Sequence, residues 1–338
     1  MSDRETGTAK RCIGPLQPSA AGSALAICVM LMLMLMPLAS QAQTIAVFTK
    51  NLVNANYVAL RLGVDKAAGA MGAKTYHRVP KHPDDPVEQI AMLAEVARDK
   101  PDAIIFNPTD VDRLAEPFRM IDALRIPVVN VVNRAYYADR SVFVGADDEL
   151  VGYATAKYLF DAMGGHGRVA VLEGPSTAVT SVDRSRGFAR ALRERPDIVV
   201  VATADGKYLQ PEGEAQMRAI LSKERVIDGV LAANDSMALG ALQALEAAGR
   251  ALGVKVVGIN GVPEAIDSIE AGRMLATENY SGFLLGCISG FAAVRELRGL
   301  PVPHTINLPV EMIDRANVAK FKVPLAQQQC PAWEALVR

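Results

Sequence analysis

Residues Gly229 to Gly261 run GVLAANDSMALGALQALEAAGRALGVKVVGING. Gly229 to Ala233 is a short apolar run, too short for a helix, and it reads as a buried strand. Asn234-Asp235-Ser236 follows and can cap a helix. Met237, Leu239, Leu242, Leu245 and Ala248 then recur at helical spacing, and Gly249 is the stop. Val254 to Ile259 reads as a second buried strand, ending at Asn260-Gly261. This is a β-α-β unit with an asparagine at the carboxyl end of each strand, where ligands gather in open α/β sheets. Asn234 has two readings, helix cap and ligand contact.

In two stretches, Ala233-Asn234-Asp235-Ser236-Met237-Ala238-Leu239-Gly240 and Val256-Val257-Gly258-Ile259-Asn260-Gly261, the chain resembles the sugar-binding branch of the periplasmic binding proteins, the ribose-binding type. LacI-type repressors share this core fold, so these motifs do not separate an exported binder from a DNA-bound regulator. The start of the chain does. A repressor predicts a basic helix-turn-helix there, and an apolar export segment stands in its place.

Residues 1–42 read as a signal peptide. Arg4, Lys10 and Arg11 form its positive region, Ala24 to Leu38 its apolar core, and Ser40-Gln41-Ala42 a small-residue cleavage site before Gln43. Cys28 is not a lipidation site: Ile27 is too large for the preceding position, and the apolar run follows the cysteine. Localisation in the periplasm is the expectation. Loss of the signal takes the formal net charge from −1 to −2, so composition gives no electrostatic reason to expect nucleic acid. Cys287 and Cys330 remain. Export permits a disulfide, but nothing in the sequence brings the two together, and two unpaired buried thiols are an equal reading. No later run of 18 apolar residues occurs, which predicts a soluble mature protein.

The 338 residues suffice for two cores. Strands are predicted at 44–49, 74–79, 103–106, 127–132 and 141–145, with helices between them from about 57–71, 87–97 and 111–124. The alternation restarts with helices at 151–162, 182–192 and 210–221 and strands at 168–172 and 198–202. After the opening unit come a helix at 263–271, a strand at 275–278, a helix at 282–297 and a last strand at 307–310. Strands alternating with helices predict parallel sheets covered on both faces. The fold class is therefore α/β, with two doubly wound parallel-sheet lobes joined by a multi-strand hinge. The resemblance implies an N-terminal lobe of 43–147 with 281–307 and a C-terminal lobe of 148–280 with 308–338.

Enzyme chemistry finds no support. There is no GxxxxGK[ST] loop, no GxGxxG after a strand, no GxSxG elbow, no CxxC and no HExxH. His77 and His82 are five apart across a strand-to-loop join, which suits surface histidines better than a metal site. Asp147-Asp148-Glu149 sits where acids favour a helix start. No cofactor and no metal are expected.

The resemblance covers Thr44 to about Val310 and implies a ligand site residue by residue. Lys50, Asn54, Asn56 and Tyr57 lie after the first strand, where the family supplies polar contacts and aromatic platforms for a sugar. Asn56 stands where the family often has a second aromatic, and Tyr57 could equally be core. Asn107 lies in Asn107-Pro108-Thr109-Asp110, similar to the family's turn after strand three, as contact or cap. Asn133-Arg134 stands where the family typically has Asp-Arg. Arg184 opens an R-x-x-G-F pattern; the family's sugar-contacting arginine falls two residues earlier, at Val182, so Arg184 reads first as structural. Tyr208 matches an aromatic that closes from the second lobe, and Asn260 an aspartate that binds hydroxyls. The contact after Thr277 is Asn279 or Tyr280.

Positions 133 and 260 thus carry amides in place of carboxylates. An amide still donates and accepts but forgoes the charge-assisted strength. Lys50 and Arg134 remain with few acids predicted beside them, which points to a polyhydroxylated ligand carrying an anionic or electron-rich group. A neutral sugar fits if Asp148 or Asp235 faces the site. The function implied is a periplasmic solute-binding protein that captures a sugar, polyol or sugar acid by hinge closure and presents it to an ABC transporter permease. The alternative partner is a membrane histidine kinase or chemoreceptor.

Overall fold

The computed structural model describes Met1, residues 42–134 and residues 141–337. The expected export signal, with Cys12 and Cys28, lies outside the described residues apart from Met1 and Ala42.

Two six-stranded sheets form the core. The first contains β1 (Thr44–Phe48), β2 (Lys74–Arg78), β3 (Ala103–Phe106), β4 (Val128–Val131), β5 (Val142–Gly145) and β11 (Thr305–Asn307), in the order β11-β5-β4-β3-β1-β2. All of its pairings are parallel. The second contains β6 (Gly167–Glu173), β7 (Ile198–Asp205), β8 (Gly229–Ala232), β9 (Lys255–Ile259), β10 (Ala276–Glu278) and β12 (Met312–Asp314), in the order β12-β10-β9-β8-β6-β7. Only β12 runs antiparallel. Covered on both faces, β3 (AIIF) and β8 (GVLA) are apolar and buried throughout.

The connecting helices are α1 (Ala55–Ala70), α2 (Pro86–Asp99), α3 (Ala115–Ala123), α4 (Asp148–Ala162), α5 (Val179–Arg193), α6 (Gln210–Lys223), α7 (Asp235–Ala247), α8 (Pro263–Glu270) and α9 (Gly282–Leu297), with a short α10 (Trp333–Leu336) in the tail. Among the described residues no helix is long and apolar enough to cross a membrane.

In both sheets the second strand lies on one side of the first and the third on the other. Each sheet therefore has a switch point, between β1 and β3 and between β6 and β8. The stretch at 141–145 is a strand of the first sheet, as expected, and the chain leaves it for α4. The strand expected at 307–310 is instead two: β11 adds to the first sheet and β12 to the second. Pro309 between them has no N–H to offer a ladder, and the chain passes from one sheet to the other there. α3 is shorter than expected because 111–114 forms turns.

α1 and α9 pack with their backbones unusually close. A Cβ at Gly286 would lie 2.1 Å from the Leu60 carbonyl oxygen, and one at Gly282 2.1 Å from that of Asn56. Gly282 N–H donates to Asn56 Oδ1 at 2.7 Å. This seam sets the start of α1 against the chain entering α9. Gly286→Ala is expected to cost about 2–3 kcal/mol in urea unfolding, since only backbone atoms stand in the way of the methyl. Gly69→Ala, whose Cβ meets nothing within 4 Å, is the control and should be neutral or stabilising by up to about 1 kcal/mol. Cys287 of α9 is bonded to Cys330, with Cα atoms 5.5 Å apart, so the disulfide reading holds and the tail is tied to the first lobe's helix.

Candidate functional site

The loops at the carboxyl ends of the strands of both sheets meet at one small cavity. Asn54, Asn56, Tyr57 and Val132 face it from the first sheet's side; Thr180, Arg184, Tyr208, Asn234 and Asn260 face it from the second. Tyr280, on the crossing between β10 and α9, completes the lining. Its volume is about 20 Å³, room for little more than one water, so a larger guest requires the two sides to part.

Several lining residues do two jobs. Asn54 caps α1, its Oδ1 accepting from Asn56 N at 2.9 Å, which leaves its amide nitrogen for the cavity. Asn56 Oδ1 is committed to Gly282 N. Asn234 caps α7 through Met237 N at 2.9 Å and donates to the Tyr208 carbonyl at 3.0 Å, so the cap reading holds while its side chain still forms part of the wall. Asn260 uses its backbone N–H on Glu278 O, and among the described residues no side-chain hydrogen bond engages its amide.

Tyr208 is held from three directions. Asn234 grips its carbonyl, its hydroxyl lies 3.2 Å from Thr180 Oγ1, and its ring covers Gly174, where any Cβ would fall 2.4 Å from a ring carbon. Its φ is +60°. Val132 (φ 67°) and Asn260 (φ 137°) are also left-handed, and both line the cavity. A β-branched residue in that region is a true outlier, and such strain, about 1–3 kcal/mol per residue, concentrates where function over-determines the backbone.

Arg184 is the electrostatic centre. It is 3 % exposed, donates from Nε to Asp148 Oδ1 at 2.8 Å and from Nη1 to the Ala233 carbonyl at 2.7 Å, and stacks 4.8 Å from the Tyr280 ring. Burial works against its charge, yet Asp148 and the two tyrosines, Tyr208 and Tyr280, hold it in the charged form. The structural reading is correct, and the same side chain faces the cavity, a position that the two-residue offset to Val182 concealed. Asp148 is the buried partner of Arg184, whereas Asp147 is the helix cap. Asp235 accepts from Thr277 Oγ1 and Val262 N. Neither acid lines the cavity.

Of the remaining expected residues only Tyr57 belongs to the cavity lining. Lys50 is 4 % exposed and makes no ion pair or hydrogen bond through its side chain among the described residues. Burial, reinforced by Arg184 and opposed by Asp84, Asp110 and Asp148, lowers its pKa to about 8. Asn133 donates to Pro108 O at 3.0 Å, leaving Oδ1 buried and unpaired. Asn107 caps nothing; its carboxamide is buried without a well-formed hydrogen bond. Tyr57 is core and wall together, its pKa raised by burial, with Asp84 and Tyr208 adding to the effect. Arg134 points away from the cavity lining: it donates to Thr305 Oγ1 and stacks 4.3 Å from the Phe143 ring. Thr180 and Val132 are lining residues that the sequence reading did not single out. His82, Asp85 and Glu88 place donor atoms within 4.8 Å of one another, but Asp85 caps α2 and Glu88 accepts from Lys81 N and His82.

Two switch-point sheets with loops converging on a polar cavity define a two-lobed binding protein. Residues 45–300 match the periplasmic binding protein domain, and the chain belongs to that family; its fold is that of a type I periplasmic binding protein. The ribose import binding protein RbsB of Bacillus subtilis (strain 168) is 28% identical over 269 residues, spanning 80% of this chain and 86% of that protein. The xylitol-binding protein of Mycolicibacterium smegmatis is 31% identical over 200 residues, 59% of this chain and 57% of that one. The crystal structure of an ABC transporter periplasmic solute binding protein from Actinobacillus succinogenes 130z with bound D-allose superposes with a TM-score of 0.79 at 28% identity, covering 82% of this chain and 99% of that one.

Proposed function

We propose that this chain is the periplasmic solute-binding protein of an ABC importer and captures a sugar, polyol or related polyhydroxylated molecule. The signal is removed before Gln43. The lobes, 43–147 with 281–307 and 148–280 with the chain from 308 through β12, close on the ligand by bending at the crossings, the end of the tail staying with the first lobe through the Cys287–Cys330 bond, and the closed form docks on the permease. No chemistry is done on the ligand. The observation that carries the reading is the polar wall from both sheets, with hydrogen-bonding capacity in excess of its internal partners: the amides of Asn54 and Asn260, and the buried Tyr280 hydroxyl, which has no partner among the described residues. A buried polar group left unmatched costs about 1–3 kcal/mol, and sugar hydroxyls, each donor and acceptor, match such groups. A thermal-shift screen of the processed protein over sugars, polyols and sugar acids tests this. A ligand at a hundred times its Kd adds about 2.7 kcal/mol of apparent stability. Absence of any shift across the screen, or recovery of a chemically altered ligand, counts against the reading.

With Arg134 turned elsewhere and Arg184 neutralised by Asp148, the positive charge left uncompensated is that of Lys50. Lys50 is not in the lining of the small cavity; we assign it to an electron-rich oxygen of a ligand large enough to part the two sides. Such a partner raises the pKa of Lys50 in the complex above its value of about 8 in the free protein. Affinity is then at its full value below pH 8 and falls, by up to about tenfold per pH unit, as the pH climbs past it. Lys50→Met should abolish that fall. Calorimetry between pH 6.5 and 9.5 reads it directly, and a flat wild-type profile removes Lys50 from the ligand contacts.

A further inference from the structure

Beside the polar cavity lies a second, larger space of about 450 Å³. Val53 and Pro83 border it on the first lobe's side; Leu209, Pro211, Leu239 and Val262 border it on the second's. Polar groups are few, with Gln210, Ser236 and Glu264 completing the rim. Tyr208 belongs to the walls of both spaces. Tyr208, fixed by Thr180, Asn234 and Gly174, therefore stands between hydroxyl-binding side chains and an apolar groove. Val53, in the loop after β1, is 65 % exposed, so the first lobe's side of the groove is open to solvent there.

Resting on the solute-binding reading, we infer that the groove is a second subsite for the same ligand, and that the preferred ligand is amphipathic: a polyhydroxylated head carrying an apolar substituent, such as an aryl or alkyl glycoside. A free monosaccharide uses the polar cavity alone. A substituted one places its head among Asn54, Arg184, Asn234 and Asn260 and passes its apolar group along Tyr208 into the groove. The shared tyrosine is what makes one occupant natural, since an aromatic ring offers a face to the sugar's C–H surface and to an apolar substituent alike. A groove built from both lobes also couples the substituent to closure, because its two walls meet only when the lobes do.

The test is calorimetric titration of the processed protein with D-ribose, D-allose and xylitol, each as the free compound and with a methyl or a phenyl group on each hydroxyl in turn. Burying a phenyl ring in the groove should make at least one phenyl derivative bind about tenfold or more tighter than its methyl counterpart. Leu239→Gln and Val53→Asn, one on each wall, should cut that advantage at least about fivefold while leaving the affinity of the free compound within about twofold. Phenyl derivatives no tighter than methyl ones at every position overturn the inference. So does an advantage that survives both variants, which would leave the groove as surface for the membrane partner. In either case binding of a free compound keeps the solute-binding reading intact. If no member of the panel binds, that reading falls and the inference with it.

Discussion

Asp148→Ala is expected to destabilise the protein by about 3–5 kcal/mol and to abolish ligand binding. The carboxylate is the ion-pair partner of Arg184 at 2.8 Å, and the two side chains are 7 % and 4 % exposed. Removing one member of a buried pair strands the other charge in a medium that cannot solvate it. The Ala233 carbonyl and the tyrosine rings satisfy part of the guanidinium but supply no full negative charge. Replacing both members with apolar residues of similar volume, Asp148→Leu with Arg184→Met, is expected to recover most of the stability, since the desolvation of both charges is then avoided. Binding is not expected to return, because Arg184 faces the cavity. Urea unfolding and calorimetry on the two single variants and the double variant separate the roles. A double variant as unstable as Asp148→Ala would show that the cost lies in packing, and one that still binds would place Arg184 outside the ligand contacts.

Much of this architecture can be read from the chain because strands buried on both faces are continuous apolar runs. Ile45–Phe48, Ala103–Phe106 and Gly229–Ala233 could hardly be anything else once Gly, Asn and Pro bound them. Asn234 and Asn260 follow the ends of β8 and β9 and are legible there as wall candidates, and the resemblance adds Asn54; Asn107 and Asn133, also at strand ends, do not reach the lining. What was not legible depends on long-range geometry. Thr180 and Val132 reach the cavity only because the two sheets approach each other, and nothing local marks them. Arg184 shows the same limit, since a helical offset of two residues places a family contact at Val182, while the fold turns the next basic side chain inward with Asp148 as its partner. The Cys287–Cys330 bond joins residues 43 apart, across a tail with no periodicity to fix its path. The seam between α1 and α9 is the opposite case: Gly282, Gly286 and Gly290 recur every fourth residue, the spacing of one helix face, and their meaning is plain once the partner helix is known.

The crossing between β10 and α9 carries the other large expected effect. Glu278 is 1 % exposed, one carboxylate oxygen has no partner among the described residues, and the other receives only a long bond, 3.4 Å, from Glu311 N on the neighbouring crossing. Burial is the main cause that raises its pKa to about 8; Asp148 and Asp235 add to the rise, and Arg184 and the Glu311 N–H oppose it. The folded chain therefore holds a proton here that the unfolded chain, with an ordinary pKa of 4.5, has released. The stability this proton confers is full below about pH 4.5 and is lost as pH rises through 8, at about 1.4 kcal/mol per pH unit between the two, roughly 3–5 kcal/mol in all. Glu278→Gln keeps the shape without the charge. In urea titrations of the ligand-free protein, the variant minus wild-type difference is expected to grow steadily from pH 5 to pH 8 and then level off. Lys50 runs the other way: its depressed pKa makes stability rise again between about 8 and 10.5, so the wild-type profile should pass through a minimum near pH 8. A difference that stays constant with pH would mean that Glu278 is ionised in the folded protein, and that the crossing on which the lobes bend carries a full negative charge.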